Sequence, residues 1–218
     1  MTGAAVPSGP DRAALAAADL GRAAAEIRRL AGSPLALLTG GGRPVPCRHY
    51  PLGDVYDRDS HAQYYFHTHR QAEAGHIHLF LRARGMPPGL VPQVATADAD
   101  PPCHLVAVGL GEDGWPETLF TTNRWVTGEA WYSAAAVAAM LPRFRPRGGG
   151  RLAALSLLLS SLVALAEPEV ADLAMRRDAA VAAWAAGHGG DPLEDERLEV
   201  TSQAPLDLGR LVASVLGA

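Results

Sequence analysis

Two periodicities divide the chain: strict alternation in its first half and helical spacing in most of its second. From residue 61 to 82 apolar and polar positions alternate through Tyr64, Phe66, Thr68, Ile77, Leu79 and Leu81. Successive strand side chains point to opposite faces, so these six share one side of a hairpin while His67, His69, His76 and His78 share the other. The intervening residues 70–75 are polar or small and end in a glycine, as a hairpin connection requires. The expected register sets His69 opposite His76 and His67 opposite His78. A one-residue slip would mix the histidines with the apolar set, and burial resists it.

Residues 104–110 and 118–126 read as two further strands, and 197–203, alternating through Leu198, Val200 and Ser202, as a possible fifth. Successive hairpins make an antiparallel meander, which needs one covered face. The cover is supplied by helical spacing at 10–31, 133–141, 152–166, 169–186 and 206–216. In the first of these Leu15, Leu20, Ile27 and Leu30 form a stripe, with Asp11 near the start and Arg28 and Arg29 near the end, as the helix dipole favours. Pro168 suits the first turn of the fourth. Residues 47–57 read as an irregular segment and 84–102, rich in Pro, Gly and Asp, as a long loop. Gly40, Gly41 and Gly42 lack the following Lys-Ser or Lys-Thr of a phosphate loop and read as a turn. The expected fold is α+β: a loose segment 1–9, then one domain over 10–218. In it an antiparallel β-meander is covered by an N-terminal helix and a helical C-terminal half.

Composition narrows the function classes. With 218 residues the chain is long enough to bury a sizeable core, and 48% hydrophobic with 19% charged residues fits a globular protein. The net charge is −4, and all nineteen basic residues are arginine. The one basic run, Arg143, Arg145, Arg147 and Arg151, is broken by prolines and glycines and reads as a linker, so no nucleic-acid partner is expected. The apolar run 152–166 is too short to cross a bilayer at 1.5 Å per residue and reads as a buried helix, so no membrane partner is expected. Two cysteines, Cys47 and Cys103, and no visible secretory signal point to a reducing compartment and a cytoplasmic location.

The chemistry concentrates at residues 61–82, which hold five of the eight histidines. Neutral imidazoles gathered on one strand face, with a carboxylate at the turn, are the donors that first-row metals prefer. The candidate metal ligands are therefore His67, His69, Glu73, His76 and His78. Iron or zinc suits this set best, with manganese, nickel or copper as alternatives. Around them stand His49, Asp54, Asp57, His61, His104, Asn123 and Glu129. Arg124 could orient an anionic substrate through its bidentate fork, and Glu73 and Arg124 are the candidate catalytic residues.

Three resemblances bear on this. The order His67-Thr68-His69 followed by Glu73 resembles the first metal motif of the cupins, which implies a divalent metal inside a β-barrel and oxygenase, isomerase or decarboxylase chemistry. His76-Ile77-His78-Leu79-Phe80-Leu81 resembles the histidine triad of nucleotide hydrolases and transferases. That resemblance implies His78 as a nucleophile toward phosphorus, with Phe80 standing at the third histidine position. The stretches His49-Tyr50-Pro51, Asp54-Val55-Tyr56-Asp57, the histidine hairpin and Phe120 to Glu129 together look like an uncharacterised bacterial domain family without an assigned activity. The expected function is a divalent-metal-dependent enzyme acting on a small molecule, by oxygenase or hydrolase chemistry. Two alternatives stand beside it: a metal-binding or sensing module without turnover, and a metal-free binding protein for a small ligand.

Overall fold

The computed structural model describes residues 9–69 and 74–217. In chain order these form α1 (Gly9–Ala31), α2 (Pro34–Thr39), β1 (Tyr50–Tyr56), β2 (Ala62–His67), β3 (His76–Arg82), β4 (Pro102–Leu110), β5 (Pro116–Thr122), α3 (Arg124–Thr127), α4 (Ala134–Met140), α5 (Ala153–Leu165), α6 (Glu167–Gly187), β6 (Val200–Pro205) and α7 (Leu208–Leu216). Every strand pairs antiparallel with its sequence neighbour, in the spatial order β1-β2-β3-β4-β5-β6. The α+β class, the N-terminal helix and the helical C-terminal half are as the periodicities predict.

The apolar set of the histidine hairpin faces the core as expected. Tyr64, Phe66, Thr68, Ile77, Leu79 and Leu81 are all fully buried. All but Thr68 meet Ile27 of α1, Leu155, Leu158, Leu159 and Leu162 of α5, and Val170 and Leu173 of α6 in one cluster. Each large apolar side chain of this set contributes about 1.5–3 kcal/mol on full burial, so this face fixes the parity of the pairing and holds the opposite face in place. The run 152–166 is indeed a buried helix, α5. Among the described residues no single helix is long and apolar enough to cross a membrane.

Two local expectations are corrected. Residues 50–56, read as irregular, form β1: Pro51, Gly53 and Asp54 mask the alternation, and the pairing with β2 jumps from Tyr50↔Phe66 to Val55↔Tyr64 across a bulge. Gly53 and Asp54 take up the bulge with positive φ, +84° and +59°, a conformation that Gly adopts freely and Asp more readily than most residues. The strand expected over 118–126 stops at Thr122. There Asn123 caps α3, its side-chain oxygen accepting from the Arg124 N–H at 2.9 Å. The short helix α2 forms because Ser33 caps it, Pro34 starts it and Gly40 ends it in the left-handed conformation. The strand expected near 197–203 is β6. Ser202 donates its hydroxyl to the Leu173 carbonyl at 2.8 Å and so ties this strand to α6.

Candidate metal centre

The hairpin of β2 and β3 sets the site, in a register two residues from the expected one. His67 lies opposite His76 and Tyr65 opposite His78. His69, expected to face His76 across the hairpin, falls beyond the end of β2. Directly after His67 the Thr68 carbonyl accepts the Cys47 N–H at 2.7 Å, which ties the end of β2 to the segment before β1. A shift of two keeps every side chain on its predicted face, so the histidines still converge. Glu73, with Arg70, Gln71 and Ala72, lies outside the described residues.

His67, His69 and His76 each offer a ring nitrogen, and these nitrogens lie within 4.8 Å of one another. His67 Nε2 is 2.8 Å from His76 Nε2 and 3.2 Å from His78 Nε2. With metal–nitrogen bonds of 2.0–2.1 Å, two ligand nitrogens stand roughly 2.9 Å apart in an octahedron and roughly 3.3 Å apart in a tetrahedron. The observed separations match nitrogens that share one cation, and they equally match hydrogen bonds between neutral rings. The rings of His67 and His76 are nearly perpendicular, at 86° with centroids 4.6 Å apart, so they converge on an edge and do not stack.

Electrostatics favour the form that can coordinate. Burial, followed by the neighbouring His69 and His49, pushes His67 down to about 4. Burial and then His67, His69 and His104 push His76 down to about 3. His78, only 1% exposed, is also held well below the ordinary histidine range by burial first and its histidine neighbours second. These imidazoles are neutral at pH 7, and a metal requires neutral rings.

The surroundings divide into groups that touch the cluster and groups that do not. His78 Nδ1 lies 3.0 Å from His104 Nε2, and His104 is pushed down to about 3 by burial and then by the Arg177 charge. His49 stacks on Tyr65 with ring centroids 3.8 Å apart, edge-on to His67 at 5.8 Å. Its Nδ1 is 2.9 Å from Asp54 Oδ1, while Asp54 Oδ2 accepts from Gln63 Nε2 at 2.7 Å. His49 and Asp54 also line a cleft of about 650 Å³ with Cys47, Tyr56, Gln63 and Arg82. Thus His67, His69, His76, His78, His104 and His49 form one continuous group of rings.

The other candidates sit elsewhere. Asp57 closes a turn: burial pushes its carboxyl up, but the N–H groups of Ser60, Asp59 and Arg147 and the Ser60 hydroxyl outweigh this and hold it low. His61 Nδ1 is bonded to the Tyr56 hydroxyl at 2.6 Å. Arg124 pairs with Glu194, and the Asn123 side-chain amide donates to the Pro192 carbonyl at 2.8 Å. Glu129 is fully buried and accepts the His104 backbone N–H; burial raises its carboxyl to about 7 against the opposing Arg177 charge.

Two residues of this region escape sequence reasoning. Tyr65, which bridges His49 to the histidine strands, carries a signal only in its parity with His67. Thr122, whose hydroxyl lies 3.5 Å from His104 Nδ1, carries none. His78, the nucleophile that the histidine-triad resemblance implies, is enclosed by His104, Phe80 and Tyr65. The barrel that the cupin resemblance implies is replaced by an open sheet, ending on β1 at one side and β6 at the other.

Comparison with known proteins places the chain. A family model described as Domain of unknown function (DUF6969) matches residues 16–206, and the chain belongs to that family. No curated protein and no solved structure matches it.

Proposed function

We propose that the protein is a divalent-metal-dependent enzyme acting on a small molecule, with His67, His69 and His76 holding the metal. The observation that carries this reading is the convergence of three imidazoles whose donor nitrogens lie within 4.8 Å of one another. Glu73, which lies between His69 and His76 in the sequence and outside the described residues, would join the same pool of ligands. Zinc or iron suits a set of three histidines; with three protein ligands, coordination positions remain for water or substrate. When bound, such a cation polarises an oxygen or lowers the pKa of a water. The chain's own contributions are a half-buried His67, a solvent-facing His69, and the cleft beside His49 and Asp54 as the approach for substrate.

A second reading, a metal-binding module without turnover, draws on one distance. His78 Nε2 is close enough to His67 Nε2, at 3.2 Å, to supply a fourth nitrogen, and four histidines would close a tetrahedral site.

The test is elemental analysis of the full chain purified from unsupplemented medium, with His67→Ala and His76→Ala beside it. About one equivalent of metal in the native chain, lost in both variants, is the expected result. Equal trace metal in all three, with no change in melting temperature on adding zinc or iron, would sink the proposal. X-ray absorption on the loaded Glu73→Ala chain separates the two readings, since an oxygen bound to the metal there marks an open site.

A further inference from the structure

The depth of His78 and His104 raises a separate question. Both rings are essentially buried, at 1% and 2% exposure, yet they face each other nitrogen to nitrogen, His78 Nδ1 to His104 Nε2 at 3.0 Å. A neutral imidazole carries a single N–H, so one ring of the pair donates and the other accepts. The direction is decided at the two ends of the chain of contacts.

At the outer end His78 Nε2 points at His67 Nε2, which also faces His76 Nε2. If His104 donates from Nε2, the His78 proton must sit on Nε2. It then occupies the point where the other rings converge and blocks coordination there. If His78 donates from Nδ1, its Nε2 lone pair is free. His104 then accepts at Nε2 and carries its own proton on Nδ1, directed at the Thr122 hydroxyl 3.5 Å away. A hydroxyl has lone pairs to accept with. The His104 backbone is held as well, since its N–H donates to the buried Glu129 carboxyl. The ring is fixed from both sides.

We infer that His104 is a positioning residue of the metal centre: by accepting the Nδ1–H of His78 it presents the His78 Nε2 lone pair to the point shared by His67 and His76. This rests on the metal reading above and extends it from three donors to four, a set that closes a tetrahedral zinc site and leaves positions open around six-coordinate iron. An outer partner on the far nitrogen of a ligand histidine fixes the ring's tautomer and orientation, and its loss typically weakens metal binding 10–100-fold. Most such partners are carboxylates, carbonyls or water. A second histidine does the same work here because it can accept on one nitrogen and pass its own proton inward on the other.

The test uses the full chain, stripped with chelator and titrated with zinc. His104→Leu removes the acceptor at similar bulk; His104→Gln keeps an oxygen that can accept. The expected result is a 10–100-fold loss of zinc affinity in His104→Leu, with His104→Gln within about threefold of the native chain. Long-range ¹H–¹⁵N spectra of the zinc-loaded native chain, with His78 assigned by its absence in His78→Gln, are expected to show the proton on His78 Nδ1. This readout does not depend on either His104 variant folding. If the native chain takes up neither zinc nor iron, the metal reading falls and this inference falls with it. If it takes up zinc but the proton is on His78 Nε2, or a folded His104→Leu binds as tightly as the native chain, only the role of His104 is overturned.

Discussion

Gly75 is the residue whose replacement most directly tests how the hairpin holds the histidines. It precedes β3 with φ of +81°, and a Cβ built on it would lie 2.5 Å from the His67 carbonyl oxygen and 2.6 and 2.7 Å from Cε2 and Cζ of Phe66. Phe66 is fully buried in the core and cannot swing aside, and the His67 carbonyl belongs to β2. Gly75→Ala therefore carries two costs. The left-handed conformation costs a non-glycine residue about 1–2 kcal/mol. Forcing a methyl into the packed space costs about 1–3 kcal/mol more. A chain of this length loses about 2–4 °C of melting temperature per kcal/mol, so the expected drop is roughly 5–15 °C. Gly89→Ala separates the two costs, because Gly89 has nearly the same φ, +85°, and nothing within 4 Å of its Cβ position. Urea denaturation of both variants, read by fluorescence and by far-UV circular dichroism, gives the difference. If Gly75→Ala loses no more stability than Gly89→Ala, the close approach of the turn to β2 is not what fixes the hairpin.

Two further predictions follow from the buried polar groups. His76 and His104 are both depressed to about 3 in the folded chain, against about 6.5 unfolded, so below pH 6.5 the unfolded state binds more protons than the folded one. Their contribution is complete above pH 6.5 and is lost as the pH falls toward 3, by up to about 1.4 kcal/mol per group per pH unit. Chelator-treated protein should therefore show a lower urea midpoint at pH 5.5 than at 7.5, and a flat midpoint across that window contradicts the burial of these rings. The Tyr64 hydroxyl lies 2.8 Å from Ser156 Oγ, which also accepts the Gly148 N–H at 2.9 Å. Tyr64→Phe should cost about 1 kcal/mol, while Ser156→Ala, which strands both partners, should cost about twice that; thermal melts that rank the two in the opposite order refute this account.

Much of the architecture is legible in the alternation alone. The apolar parity of Tyr64, Phe66, Ile77, Leu79 and Leu81 specifies which face packs, and an error of two residues in register leaves that parity intact. This is why the histidines converge although His69 does not face His76. The helices announce themselves by Ala-rich spacing and by punctuation such as Pro168, whereas β1 hides because a proline, a glycine and an aspartate interrupt its pattern. The inner part of the site is less visible. His104 stands at a bulge, where Phe80 pairs with His104 and Leu79 with Val106, leaving Leu105 without a counterpart. Counting from the strand's far end would therefore assign the His104 side chain to the wrong face. Arg124 shows the converse: its chemistry suggests an anion, but α3 turns it toward Glu194 in the loop before β6.

The six strands are neighbours in sequence, but α3 to α6 lie between β5 and β6. A ribosome working at ~5–20 residues per second needs several seconds to deliver that stretch. Throughout that interval the outer border of β5 offers unpaired amides and carbonyls to any other extended peptide nearby. The nascent chain is thus most exposed to sticking before its last strand arrives and covers that border.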